Sequence, residues 1–179
     1  MIGPFFARLK AGEPTMKTNK LEELYLRELR DLYASEKQLA NWLPKIMEKA
    51  DLIDLRQALS NHLNEVRGQL TRLEKAFQLR CEKPAVREGK ALEGILREAD
   101  EDIADAGNPH IRDTVIVAAV QQIKHFEIAA YGTVHAYATH LDYNEDARLL
   151  QATLQEERAT DRKLTEIALH YLKMETARM

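Results

Sequence analysis

The sequence carries acidic residues at positions where a helical bundle would place core side chains. Apolar residues recur along it with the alternating three- and four-residue spacing of a buried helix face. A glutamate interrupts three of these apolar stripes, and another lies at the edge of a fourth. In chain order they are Glu36, Glu65, Glu127 and Glu157, with Glu65 at the edge. Because a buried carboxylate is costly without a partner, several at matching positions suggest a metal site.

The length and composition fit one all-α domain. The chain has 179 residues, with only seven glycines and five prolines, which argues against a turn-rich β fold. No apolar run approaches the roughly 18 residues of a membrane span, and a net charge of −3 gives no general attraction to nucleic acid. We therefore expect neither a membrane nor nucleic acid as a partner. The single cysteine, Cys81, fits a reducing compartment, and we expect the cytoplasm.

The hydrophobic pattern predicts four long helices and one short helix. The long helices are expected at about 20–49, 54–81, 110–140 and 145–175, and the short one at about 90–105. Short joints make the two members of each long pair antiparallel. We therefore predict an all-α four-helix bundle built from two antiparallel helical hairpins, with the short helix in the crossover between them.

Some local features of this arrangement can also be predicted. Residues 1–17 are expected to form a flexible N-terminal extension, and residues 18–179 the bundle domain. Thr18 or Asn19 can cap the first helix. Pro44 lies inside that helix and should kink it or start a new segment.

The two hairpins resemble each other in the spacing of their acids. Glu36 and Glu127 are 91 residues apart, and Glu65 and Glu157 are 92 apart. Each hairpin has one glutamate about fourteen residues before its turn and one about eleven or twelve after it, which at 1.5 Å per residue is nearly the same level. The spacing therefore predicts that the four carboxylates meet inside the bundle.

Carboxylates gathered in a dry core must take up protons or bind cations. Two divalent ions would neutralise them, and carboxylate and imidazole ligands suit iron, which we expect first, or manganese. The expected ligands of this dinuclear centre are Glu36, His62, Glu65, Glu127, Glu157 and Asp161, with Gln69 nearby. The Glu-x-x-His motifs of the ferritin-like plan are absent, since Gly68 and Thr160 stand at the histidine positions.

Each candidate also has a simpler interpretation. A buried glutamate can be neutralised by a lysine or an arginine, and His62 can be an ordinary histidine on a helix face. Glu156 would be the ligand in place of Glu157 if the helical phase were shifted by one residue. His125 should point to a different side from Glu127. Tyr33 and Tyr131, one turn from Glu36 and Glu127, can carry an electron or merely pack.

Four segments of the sequence resemble a known family. They are LEELYLRELRDLYASEKQLANWLPKI, HLNEVRGQLTRLE, IKHFEIAAYGTVHAYA and LQEERATDRKLTEIA, and they are similar to the signature helices of the YciF-type bacterial stress-response proteins. The resemblance covers about residues 20–172. It implies a ferritin-like fold, a dinuclear metal site, a homodimer and a role in bacterial stress, but no settled reaction. It supports Glu36, Glu65, Glu127 and Glu157 as ligands, and His62 and Asp161 less directly.

These observations leave functions of different classes open. The first is a metal-binding redox protein whose small-molecule oxidant is peroxide or O₂. The alternative is a non-enzymatic helical dimerisation or adaptor module with a vestigial metal site. A third is a manganese-dependent, catalase-like activity. An iron-storage cage is less favoured, because nothing in the sequence specifies a shell.

Overall fold

The computed structural model describes residues 20–84 and 89–176, with the side chains of the last helix described up to residue 169. Five α-helices account for nearly all of this part of the chain. They are α1 (Leu21–Lys49), α2 (Ile53–Leu79), α3 (Lys90–Asp105), α4 (Pro109–His140) and α5 (Asn144–Thr176). Every helix that the hydrophobic pattern predicts is present, with ends within two residues. The predicted extension at residues 1–17 and the predicted caps Thr18 and Asn19 lie outside the described residues.

The helices pack as two hairpins. α1 lies against α2 and α4 lies against α5, while α2 contacts α5 and α1 contacts α4 across the bundle. The short helix α3 joins the hairpins and packs against α4 and α1. The prediction of an all-α, ferritin-like four-helix bundle with an extra helix in the crossover is confirmed. Within residues 20–84 and 89–176, no helix combines the length and the hydropathy that a membrane span requires.

Of the two outcomes predicted for Pro44, a kink or a new helical segment, the new segment is not found. α1 continues past it as one helix to Lys49. Proline removes one hydrogen bond from a helix interior, but Leu43 and Ile46 on either side are fully buried. Tertiary packing of this apolar face therefore stabilises the turn despite the missing bond, because packing provides most of a helix's stability in a protein.

Helices α2 and α4 end in the same way. After α2, the left-handed residue Cys81 (φ 55°) lets the Glu82 amide donate to the Phe77 carbonyl at 2.9 Å. After α4, Asp142 (φ 56°) does the same, and the Tyr143 amide donates to the Ala138 carbonyl at 2.9 Å. This is the Schellman arrangement. Cys81 therefore has a structural position at a helix end.

The core consists of two apolar clusters with a polar layer between them. The first is centred on α1, α2, α3 and α4 residues such as Leu43, Leu59 and Val120. The second contains Tyr25 and Phe77 with parts of α4 and α5. Every long helix crosses from one cluster to the other. The acids on the core stripes lie at that crossing, so the fold gathers them at one level.

Candidate metal centre

All four long helices contribute a buried polar side chain to the level between the apolar clusters. We call this set the polar layer: Glu36 from α1, His62 and Gln69 from α2, Lys124, Glu127 and Tyr131 from α4, and Glu157 from α5. Each is at most 1% exposed. Glutamate and lysine are almost never fully buried unless they are paired. The buried charges of the polar layer must therefore be compensated by contacts between its side chains or with a bound group.

Three of these residues form a compact group of possible ligands. His62, Glu127 and Glu157 each offer one ligand atom, and these atoms lie within 4.8 Å of one another. His62 Nε2 is 3.9 Å from Glu127 Oε2. Atoms that bind one ion at about 2.0–2.2 Å lie up to about 4.4 Å apart. Small side-chain movements would therefore bring the three atoms onto a common metal ion.

A lysine that sequence reasoning missed lies within this group. Lys124 Nζ is 2.7 Å from Glu127 Oε2 and forms a close ion pair with Glu157 Oε2. Lys124 is three residues before Glu127, and side chains at this spacing lie on the same helix face. It is the one buried lysine or arginine among the described residues. The signal was present in the sequence, because the i,i+3 spacing to Glu127 places Lys124 toward the same face.

Two neutral side chains hold the carboxylates on the other sides. Gln69 Nε2 donates to Glu157 Oε1 at 2.5 Å, so both oxygens of Glu157 have partners. The Tyr131 hydroxyl donates to Glu36 Oε1 at 2.6 Å. Of the two tyrosines near the acids, Tyr131 contacts the layer directly, whereas Tyr33 donates to Glu74 at 3.0 Å.

Several buried atoms of the polar layer have no hydrogen-bond partner in the protein. They are Glu36 Oε2, Gln69 Oε1, both ring nitrogens of His62 and both oxygens of Glu127, of which Oε2 has only its ion pair with Lys124. Buried polar atoms are nearly always paired, so this concentration at one place points to a bound group. Carboxylate oxygens with an imidazole nitrogen suit a divalent ion such as iron or manganese. The residues present therefore fit a metal.

Burial sets the charge state of these groups. It raises the pKa of Glu36 to about 8, with Glu157 adding to the shift and Tyr131 opposing it. Burial, followed by the charge of Glu157, raises the pKa of Glu127 well above its ordinary value. Burial also lowers the pKa of His62, which keeps the imidazole neutral and its lone pair available.

Lys124 behaves differently because its neighbours are acids. Burial lowers the pKa of its amine, but Glu127 and Glu157 outweigh burial and raise that pKa above its ordinary value. The side chain is therefore an ammonium, and the polar layer contains a fixed positive charge.

Two of the sequence-predicted ligands lie at the edge of the layer. Glu65 is half-buried and accepts a hydrogen bond from Thr160 Oγ1 at 2.8 Å. The side chain of Asp161 is 20% exposed, and its Oδ1 is 3.7 Å from Nε2 of His125. Neither belongs to the group of three close ligand atoms. The sequence-predicted set thus divides into Glu36, His62, Glu127 and Glu157 inside the layer and these two outside it.

The helical phase of α5 distinguishes the two adjacent glutamates. Glu157 is fully buried, whereas the side chain of Glu156 is 34% exposed and pairs with Arg72. Glu157 is therefore the member that faces the core. His125 is 70% exposed on α4, on a different side from Glu127, as its spacing predicts.

Solved structures share this fold. The crystal structure of the stress protein YciF from Escherichia coli superimposes with a TM-score of 0.83 at 36% identity, covering 87% of this chain and 98% of that one. YcfI from Rhodopseudomonas palustris, for which a structural role has been suggested, gives a TM-score of 0.82 at 37% identity, covering 84% and 96%. A Xanthomonas campestris protein has the same fold at 20% identity, with a TM-score of 0.67.

Sequence comparison gives the same relationship. Protein YciF of Escherichia coli (strain K12) is 36% identical over 156 residues, which span 87% of this chain and 94% of that protein. Residues 20–177 match a family described as a domain of unknown function, DUF892. The resemblance to YciF-type proteins is thereby confirmed, and the chain belongs to the DUF892 family.

Proposed function

We propose that this chain is a stress-response protein that binds a divalent metal ion in the polar layer, with ligands from His62, Glu127 and Glu36, and with Glu157 held beside them by Lys124 and Gln69. The observation that carries the proposal is the set of unpaired buried atoms on His62, Glu36 and Glu127. The stress role rests on similarity to YciF, which is described as a stress protein. Iron is the proposed metal, with manganese as the second choice.

The surroundings of the ligands support this assignment. Residues that bind a metal are commonly oriented by hydrogen bonds from a second set of side chains. Gln69 orients Glu157 and Tyr131 orients Glu36, each leaving the carboxylate fixed in the layer. His62 is neutral, so a ring nitrogen can bind a cation without first losing a proton.

Bound iron would supply redox chemistry with peroxide or O₂ as the oxidant. The chain's own part is to hold the ion between two apolar clusters, where access of water is restricted. Participation of Glu65 and Asp161, and therefore the full dinuclear centre, remains a prediction.

Metal content tests the proposal. The full chain, freed of metal and reloaded anaerobically with Fe(II), should retain stoichiometric iron after desalting, measured by plasma mass spectrometry. Glu127→Gln should lose most of it, because it removes a charged ligand. Glu166→Gln, which makes the same change at an exposed position of α5, should retain it.

Peroxide added to the Fe(II) form should change its absorbance, and Glu127→Gln should abolish that change. Substoichiometric iron in the wild type that is insensitive to Glu127→Gln would refute the metal function.

One observation favours a second candidate, the non-enzymatic helical module. Lys124 already pairs with Glu127 and Glu157, so part of the carboxylate charge is compensated without a metal. The structural role suggested for YcfI points the same way. This candidate predicts that a chelator leaves the melting temperature unchanged.

Both candidate functions allow a homodimer, which we propose as the state of the protein in solution. Size-exclusion chromatography with light scattering would measure the mass and test this proposal.

A further inference from the structure

We infer that Lys124 is a built-in cation that takes the place of one metal ion, so that the polar layer binds a single divalent ion instead of a pair. The inference rests on the proposed metal function and specifies its stoichiometry. It assigns a role to a side chain that contributes no ligand atom.

The first argument for this inference is the position of the Lys124 ammonium. Lys124 Nζ lies between Oε2 of Glu127 on α4 and Oε2 of Glu157 on α5, within hydrogen-bond distance of both. An ion that bridged the same two oxygens would lie about 2.0–2.2 Å from each. Its position would overlap with that of the ammonium. An ion bridging these oxygens and Lys124 in its present position are mutually exclusive.

Both oxygens of Glu157 pair with Gln69 and Lys124, so few atoms are left for a metal. The unpaired atoms belong to three helices: Glu36 Oε2 on α1, the ring nitrogens of His62 on α2, and Glu127 Oε1 on α4. The second oxygen of Glu127 is the one that contacts Lys124. Glu127 is thus placed to bind a metal through one oxygen and the ammonium through the other.

Charge gives an independent reason for a single ion. Three fully buried carboxylates, on Glu36, Glu127 and Glu157, bring three negative charges when ionised, and Lys124 brings one positive charge. The two negative charges that remain match one divalent ion. A second ion would leave an excess of positive charge inside the bundle, and uncompensated buried charge is strongly unfavourable.

Changing the charge of residue 124 tests this stoichiometry. Lys124→Glu replaces the ammonium with a further carboxylate ligand at the same place, and Lys124→Gln removes the charge with a smaller change. Lys163→Glu is the matched control, because Lys163 is exposed on α5. Each protein is loaded with Mn(II), desalted and analysed for manganese per chain. Circular dichroism verifies the helical fold, and Lys124→Gln carries the test if Lys124→Glu does not fold.

We expect one ion per chain in the wild type and in Lys163→Glu, with the electron paramagnetic resonance signal of an isolated Mn(II). Lys124→Glu should bind twice as much manganese, and its signal should weaken because neighbouring ions couple magnetically. Lys124→Gln should also exceed one ion per chain.

Two ions in the wild type, or one ion in both folded Lys124 variants, would overturn the role of Lys124 and leave the metal function intact. No ion in any of the proteins would overturn both.

Discussion

Helix α4 carries two buried carboxylates that differ in their hydrogen bonding. Asp113, near its start, is 1% exposed, and its oxygens accept hydrogen bonds from the backbone amides of Asp51 at 2.9 Å and Leu52 at 2.7 Å. Glu127, in its middle, is equally buried, but it has a lysine on one oxygen and no hydrogen-bond partner on the other. Burial alone therefore does not mark a ligand. Asp113 connects the joint between α1 and α2 to α4, whereas Glu127 has capacity left for a bound ion.

The largest effect on this comparison should come from Lys124→Ala. Removing one partner of a buried ion pair leaves an uncompensated charge and typically costs about 3–5 kcal/mol. We expect the metal-free protein to lose this much free energy of unfolding in urea, with Lys163→Ala on the surface changing it by less than about 0.5 kcal/mol. A loss below about 1 kcal/mol would mean that protons, and not Lys124, neutralise Glu127 and Glu157.

Asp113→Ala should have the next largest effect, and on stability alone. It removes the acceptor of two backbone amides, and each unpaired buried donor costs about 1–3 kcal/mol. We expect a loss of roughly 3 kcal/mol in the free energy of unfolding. Bound metal per chain, measured on the folded variant, should equal that of the wild type. A loss of metal in Asp113→Ala would contradict the assignment of Asp113 to stability alone and of Glu127 to metal binding.

The difference between Asp113 and Glu127 also shows how far the sequence alone could lead. Helix periodicity predicts which way a residue points, so the hairpins, their shared level and the burial of Glu36, Glu127 and Glu157 could all be predicted. Periodicity does not predict which groups form hydrogen bonds or ion pairs with a buried side chain. Asp113 was not recognised as buried, because its partners are backbone amides of a loop that is distant in sequence.

Lys124 was missed for a related physical reason. Its i,i+3 spacing to Glu127 indicates only the direction of its Cβ atom, and a lysine has a long flexible stem, so its charged end can lie far from that direction. Its charge also made it resemble a surface residue beside the apolar Ile123. Glu65 and Asp161 illustrate the opposite case. They lie one turn from core positions, but at that level of α5 the buried residue is Thr160, whose hydroxyl donates to Glu65.

Glu36→Gln should change metal binding far more than stability. Burial raises the pKa of Glu36 from an ordinary 4.5 to about 8, so at neutral pH the metal-free carboxyl is largely protonated and glutamine closely replaces it. Tyr131 can still donate to the amide oxygen. We expect bound metal to fall clearly at neutral pH. Below about pH 4.5, where the carboxyl is protonated in both the folded and the unfolded chain, the free energy of unfolding should change by at most about 1 kcal/mol.

The pH dependence sharpens the test of Glu36. A carboxyl whose pKa is higher in the folded state contributes stability that is full below its unfolded pKa and is lost as the pH rises through the folded value. Metal-free wild type should therefore lose stability between about pH 4.5 and 8 relative to Glu36→Gln. Parallel pH profiles of the two proteins in urea unfolding would show that Glu36 does not titrate in this range.

The smallest effect should come from Glu156→Gln, next in sequence to a core residue. Its carboxylate is 34% exposed and pairs with Arg72, whose side chain is 24% exposed. Exposed ion pairs contribute about 0–1 kcal/mol, so the unfolding free energy should change by less than about 1 kcal/mol, with bound metal unchanged. Glu157→Gln, one residue further along α5, should lose metal under the same conditions, because it removes one of the three buried negative charges that balance Lys124 and the ion. If Glu156→Gln also lost metal, the functional site would extend beyond the fully buried layer to the partly exposed pair of Glu156 and Arg72.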